Sequence, residues 1–258
     1  MLVTHLAPCR ELAPFVRTYT VVETREQDAT RSLLPDGGMA LGIRFGGFAR
    51  QLDEDPARNL PNATLAGMRA SARRMYTSAN AGIVLAQFRT GGAAAFFIEP
   101  LHELFGKTAP LDAFVPRSAI ERTADRVTCA RNHAERVRSL EQLLLERLRA
   151  NSGDRIVSAA LDAIDGAKGT LRITELARAL DLSRDRLEKR FRSAVGSSPK
   201  QLASLLRIRH AIELHLSGSS LTQSAVEAGY FDQSHFNREF RQFTGQSPSR
   251  FFSTSDHC

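Results

Sequence analysis

The sequence predicts an α+β N-terminal domain, an antiparallel β layer or partial barrel with helices, followed by an all-α domain built from two helix-turn-helix units. Three observations predict it. Strand-like segments separated by Gly-containing turns fill the first half, amphipathic helices follow, and the last third contains one pattern written twice. Laying residues 174–199 beside 222–248 pairs Phe191 with Phe240, Gly196 with Gly245 and Pro199 with Pro248, each 49 positions apart. Ahead of the turn the offset is 48, pairing Thr174 with Thr222 and Ala177 with Ala225, so one residue has been gained between Leu182 and Asp232.

At 258 residues the chain is long enough for two modest domains, each with its own core. A hydrophobic share of 42% and a charged share of 24% are those of an ordinary globular protein. The net charge of +7 and the isoelectric point near 9.9 favour an anionic partner. Charge is spread along the chain: residues 151–258 hold 15 Lys and Arg against 12 Asp and Glu, and the preceding part 20 against 16. The placement of charge therefore says more than its total. Cys9, Cys129 and Cys258 have no short spacing, and an odd count points to a reducing compartment. With no signal-peptide pattern and no apolar run of membrane-spanning length, the expected location is the cytoplasm, without a membrane partner.

In chain order, residues 15–23 (FVRTYTVVE) are rich in β-branched and aromatic side chains and read as a strand. The LLPDGG segment, 33–38, reads as a turn, because Pro fixes φ and Asp-Gly-Gly tolerates positive φ. Its glycines would also let backbone amides approach a ligand. Met39, Leu41, Ile43 and Phe45 then alternate with smaller or polar residues, the pattern of a half-buried strand. Residues 63–68 and 82–88 are further strand candidates, with Gly91-Gly92 making a break before the apolar run 93–98. Pro100 opens a short helix, LHELFG, stopped by Gly106. Arg69, Arg73 and Arg74 cluster after a strand, suiting either an acidic effector or plain solvation.

His5, His102 and His133 share no metal-ligand spacing, and Cys9 stands alone between Pro and Arg. No nucleophile-base or metal constellation is visible, so the expectation is a protein without cofactor or enzymatic activity. In residues 135–149, Val137, Leu140, Leu144 and Leu148 form one helical stripe, suited to its own domain or to a second copy of the chain in a homodimer. Asn151-Ser152-Gly153 interrupts it, dividing the chain into domains 1–150 and 151–258. A helix over 154–165 follows, with Gly166 as its stop.

In the first copy of the repeat Thr174 is placed to cap a short helix with Leu176, Ala177 and Leu180 inward. Ser183 is placed to cap a second, with Leu187, Phe191 and Val195 inward. In the second copy Leu221, Ala225 and Ala228, then Phe236, Phe240 and Phe243, take these roles. The helix-turn-helix units span about 174–196 and 222–245. With those faces buried, Arg184, Asp185, Glu188 and Lys189 point outward from one second helix, and Gln233, Ser234, Asn237 and Arg238 from the other. Asn, Gln, Arg and Lys match base edges in a DNA major groove, whereas Asp185 and Glu188 suit cytosine amino groups or exclude unfavourable bases. Eight Lys or Arg against two acids in residues 183–209 suit phosphates, with Arg192, Arg209 and Arg241 assigned to phosphate contact or buried pairing. Between the copies, residues 200–217 read as one helix of roughly 27 Å. That length suits two reading helices about one DNA turn, roughly 34 Å, apart.

The stretches SRDRLEKRFRSAVGSSP, RIRHAIELH and AGYFDQSHFNREFRQFTGQSPSRFF resemble the DNA-binding domain of AraC/XylS-type bacterial transcription regulators, over about residues 154–252. The resemblance implies two helix-turn-helix units joined by a long helix, sequence-specific binding of double-stranded DNA at asymmetric sites through adjacent major grooves, and RNA polymerase as a further partner. Ser224 departs from it, standing where a buried aliphatic residue is usual. The N-terminal half, with LLPDGG and GGAAAFFIEPLHEL, resembles a poorly characterised sensor-type domain, implying a small-molecule effector without naming its residues. Two other readings stay open: an N-terminal enzyme fused to a DNA-binding domain, and a DNA-architectural protein indifferent to sequence.

Overall fold

The computed structural model describes residues 1–53, 56–149 and 154–253. Among these residues ten strands come first: β1 (Leu2–Leu6), β2 (Val16–Glu23), β3 (Ala29–Leu33), β4 (Ala40–Gly46), β5 (Ala49–Gln51), β6 (Arg58–Asn59), β7 (Ala63–Ala66), β8 (Arg73–Thr77), β9 (Gly82–Phe88) and β10 (Thr108–Pro110). Short 3-10 turns lie at Gly92–Ala95, Leu101–Leu104 and Leu111–Ala113. Nine helices follow among the described residues: α1 (Arg117–Cys129), α2 (His133–Leu145), α3 (Arg155–Gly166), α4 (Ile173–Ala179), α5 (Arg184–Val195), α6 (Pro199–Leu216), α7 (Leu221–Glu227), α8 (Gln233–Thr244) and α9 (Pro248–Ser253).

The strands form two antiparallel sheets, one of six strands in the order β1-β2-β9-β4-β7-β10 and one of four in the order β3-β8-β5-β6. The period-two alternation gives the large sheet two different faces. On β9, Val84, Ala86 and Phe88 are fully buried against the helices, while Ile83, Leu85 and Gln87 turn toward the small sheet. On β4, Leu41 and Ile43 enter the core, and Ala40 and Arg44 face the other way. The sheets therefore enclose a space instead of a second solid core.

Several expectations meet a different outcome. The four-stranded sheet had no forecast, because ATRSL and RRMYT carry arginines where an apolar alternation would have marked strands. Helix α1 was equally unmarked: only Thr123 and Val127 on it are buried. The run 92–95 is a 3-10 turn. Thr174 does not cap; α4 starts one residue before it, with Arg172 at the N-cap. The stripe Val137, Leu140 and Leu144 is buried in its own domain, with Leu148 packed against the same core. The segment assigned as the domain boundary, 151–153, lies outside the described residues.

One hydrophobic core runs from the large sheet through Phe96, Phe97 and Leu101 to Ala160, Ile164, Leu187, Phe191 and finally Leu202. A second, separate core holds Leu205, Ile208, Ala225, Phe236, Phe240 and Phe251. The first helix-turn-helix unit thus shares its interior with the sheet domain, whereas the second is built around its own aromatic cluster.

Phe191 is fully buried in the shared core. Phe191→Ala is expected to lower the unfolding free energy by about 3–5 kcal/mol. In a urea titration the sheet and helix signals should both shift to lower urea. A sheet transition that stays put while the helices melt earlier would contradict the shared core.

Candidate nucleic-acid interface

Both repeats fold into a seven-residue helix, a turn and a twelve-residue helix. The turn is residues 180–183 in the first copy and 228–232 in the second, so the gained residue sits in the turn. Its left-handed positions correspond, Asp181 at φ 54° and Gly229 at φ 80°. The amide after each closes the same bond, Leu182 N to Ala177 O at 2.9 Å and Tyr230 N to Ala225 O at 3.0 Å. With Ser183 aligned to Asp232, the extra residue is Phe231, whose side chain is almost wholly exposed, at 98%. Sequence reading located the insertion but did not single out this aromatic.

The ends of both long helices are specified by side chains. Ser183 Oγ accepts from Arg186 N at 3.3 Å, and Asp232 Oδ1 accepts from His235 N at 2.7 Å. Gly196 and Gly245, at φ 88° and 80°, terminate α5 and α8 in the left-handed conformation that favours Gly. Leu187, Phe191 and Val195, and Phe236, Phe240 and Phe243, are buried as their three- and four-residue spacing requires.

On the opposite faces, Arg184, Asp185 and Lys189 are exposed and Glu188 is half-buried, 3.5 Å from Arg192. Gln233, Ser234, Asn237, Arg238 and Arg241 are all exposed on α8. Each helix therefore offers a polar strip to solvent, and the strip of α8 is free of acids. Not all the basic residues of 183–209 are available to phosphates. Arg190 reaches Asp154 at 2.9 Å, Arg207 reaches Glu239 at 3.0 Å, and Arg209 donates to Asp36 O at 3.0 Å. Of the two roles considered for Arg209, the structure displays structural pairing.

Arg190 and Glu239 occupy the same place in the two repeats, 49 residues apart. Each tethers the second helix of its helix-turn-helix unit to the helix that opens its own three-helix unit, but with charge reversed. Arg190 binds the carboxylate that caps α3, where Asp154 Oδ1 also accepts from Ile156 N at 3.0 Å. Glu239 binds Arg207 of α6, accepts from Tyr230 OH at 2.9 Å and lies 3.3 Å from His235 Nε2. The Arg207 guanidinium also sits over the Tyr230 ring, 4.7 Å from its centroid. Burial alone would raise the Glu239 carboxyl pKa; the Arg207 charge and the hydrogen bonds overcome it, and the net shift is downward. Ser224, fully buried, donates from Oγ to Ser220 O at 2.9 Å, which satisfies the hydroxyl that replaces an aliphatic side chain.

Among the described residues no group of His, Cys, Asp and Glu could hold a metal ion, and no helix is long and apolar enough to cross a membrane. His133 instead meets Glu23 at 3.2 Å, and His5 meets Thr20 Oγ1 at 3.0 Å. Cys9 is partly buried, its thiol pKa raised by burial.

A two-sheet domain followed by two helix-turn-helix units defines the class. Residues 176–254 match the family described as helix-turn-helix domain, and this C-terminal part is a helix-turn-helix domain of the AraC type. Residues 4–110 match a domain of unknown function, DUF6597. The transcriptional regulator ExsA of Pseudomonas aeruginosa is 32% identical over 88 residues, covering 34% of this chain and 32% of its own. The raffinose operon regulatory protein RafR of Pediococcus pentosaceus is 34% identical over 80 residues, covering 31% and 29%. The chain thus spans about a third of the length of the curated relatives it matches. ToxT of Vibrio cholerae aligns over 91% of this chain and 97% of its own, at 14% identity and a TM-score of 0.47.

The depressed Glu239 pKa stabilises the fold above the unfolded carboxyl value of about 4.3, and that stability is lost as pH falls through the folded value. Glu239→Gln should therefore be less stable at pH 7 and show a flatter acid limb below about pH 5. Thermal melts across pH 3–7 check this; parallel acid limbs for the two proteins would contradict it.

Proposed function

We propose that the chain is a sequence-specific transcription regulator that reads double-stranded DNA through α5 and α8 in adjacent major grooves. Residues 151–258 form the reading unit, and residues 1–150 sense an effector or mediate association. The observation that carries this reading is the duplicated unit: equal helices, equivalent caps and buried faces, and solvent strips rich in Arg, Lys, Gln and Asn. One solvated amphipathic helix needs no function, but two copies conserving the same geometry while diverging on the exposed face fit two readers of different bases. Such a regulator works in the cytoplasm of a bacterium with RNA polymerase as its downstream partner, and a second copy of the chain is a further candidate partner.

The base-reading set is Arg184, Asp185, Glu188, Lys189, Gln233, Ser234, Asn237 and Arg238, with Arg192 and Arg241 at phosphates. Exposed Phe231, directly before the α8 cap, adds an apolar group suited to a thymine methyl. With Arg190, Arg207 and Arg209 engaged within the protein, the exposed basic residues that remain in 183–209 are Arg184, Arg186, Lys189, Arg192 and Lys200, four of them on α5. The first reader still carries more charge than the second, and so more of the salt-dependent affinity.

Arg238→Ala is expected to weaken specific binding by about 1–3 kcal/mol and to relax preference at one base position, as read from binding to a randomised duplex library. An equal loss on every sequence would contradict base reading by Arg238. A specific-to-nonspecific ratio near one for the unmutated chain would instead favour an architectural protein.

A further inference from the structure

The space between the two sheets is a cavity of about 390 Å³, within the usual range for a small-molecule site. Its lining is divided. Leu33, Met75, Ile83 and Leu85 supply an apolar wall, while Arg31, Arg44, Arg69 and Arg73 bring four guanidinium groups to the same space. Among the described residues the one carboxylate on the lining, Asp36, is already paired with Arg17 at 2.5 Å. Arg69 and Arg73 converge on Thr108 Oγ1, at 3.2 and 3.0 Å, and Arg69 also donates to Gln51. Arg44 is 93% buried, yet its side chain makes no hydrogen bond or ion pair among the described residues; neither does that of Arg31.

A buried charge without a partner costs several kcal/mol, and like charges brought together add to that cost. The strain is visible at Arg73, whose pKa is pushed down to about 10 by burial and by neighbouring Arg69. Burial lowers the pKa values of Arg31 and Arg44 as well. Burying Arg44 and bringing three partly buried guanidinium groups to the same space adds nothing to the stability of a small sandwich domain. Val3 and Leu34 line the cavity and are 38% and 37% exposed, so it opens to solvent there.

Two lining segments also touch the second helix-turn-helix unit. In the LLPDGG turn, Asp36 O accepts from Arg209 of α6, and a Cβ on Gly37 would lie 3.4 Å from Leu205 Cδ2. In the segment carrying Arg69 and Arg73, Ala72 N donates to Phe243 O in the last turn of α8 at 2.8 Å. A ligand that draws these arginines together therefore acts on residues bonded to the helices that hold and form the second reader.

We propose that this cavity binds a small organic anion, its acidic head held by Arg44, Arg69 and Arg73 and its apolar body against Ile83, Leu85 and Met75, and that occupancy adjusts the second reading helix through residues 33–38 and 69–73. The inference rests on the reading of residues 1–150 as a sensing unit and supplies its ligand class.

The test is calorimetric titration of the full chain with hexanoate, hexyl phosphate, hexanol and hexylamine, four probes sharing one apolar body. The expected result is binding of the anions about tenfold or more tighter than hexanol, with hexylamine excluded. Whichever anion binds more tightly separates carboxylate from phosphate ligands. Arg44→Met and Arg73→Met should each weaken anion binding about tenfold. Arg44→Met should also melt no lower than the unmutated chain, because it removes a buried unpaired charge. Hexanol binding as tightly as hexanoate, or unchanged anion affinity in folded Arg44→Met, would overturn the site. Affinity for a duplex selected by the full chain is then measured with and without the better anion. A shift of threefold or more, roughly 0.65 kcal/mol, supports transmission. Anion binding without any such shift overturns transmission and the sensor reading while the anion site stands; loss of selective DNA binding altogether overturns the regulator reading alone.

Discussion

Helix α6 takes part in two hydrophobic interiors, and the arrangement of the molecule depends on it. Leu202 and Ala203, near its start, belong to the core that begins in the large sheet; Leu205, Ile208 and Ala211, further along, belong to the aromatic core of the second unit. One rigid helix thus carries the boundary between the parts. Helix α5 is fixed to the sheet domain by burial of Leu187, Phe191 and Val195, and a rearrangement there would have to disturb the core it shares with the large sheet. The second unit has its own core, and its bonds to the sheet domain include Arg209 to Asp36 O and Ala72 N to Phe243 O, which are easier to exchange than a shared interior.

The polar tethers reinforce that asymmetry. At one repeat position, Arg190 binds Asp154 and Glu239 binds Arg207, so each reading helix is referenced to the helix opening its own unit. The second tether is the more buried and more elaborate, with Tyr230 and His235 joining it. Buried pairs of this kind contribute less to net stability than to a fixed arrangement, since the desolvation of both ions offsets their attraction. Orientation is what a reading helix needs, because hydrogen bonds to base edges fail with small displacements.

How much of this was legible depended on whether residues interact along the chain or across it. The repeated helices, their Gly caps, their buried aromatics and the extra turn residue follow from spacing alone, because helix periodicity and capping are local. Strands β4 and β9 were legible for the same reason. The small sheet was not. Its Arg31 and Arg73 face a cavity that exists only once two sheets are stacked, and on their own they resemble solvated strand residues. The Arg190 and Glu239 tethers were present in the alignment as a charge reversal at one repeat position, but their partners lie 36 and 32 residues earlier. Arg209 was open to phosphate contact or structural pairing, and its bond to Asp36 O, 173 residues away, leaves no mark in local spacing.

The second helix-turn-helix unit has its own core, so it should be held more loosely than the first. Native-state amide hydrogen exchange tests it most directly, comparing α5 with α8 in the full chain at low denaturant. The account predicts that amides around Phe240 and Phe243 share an opening free energy below that of the amides around Leu187 and Phe191, which should open only with the large sheet. A single common opening free energy for both helices and the sheet would contradict it.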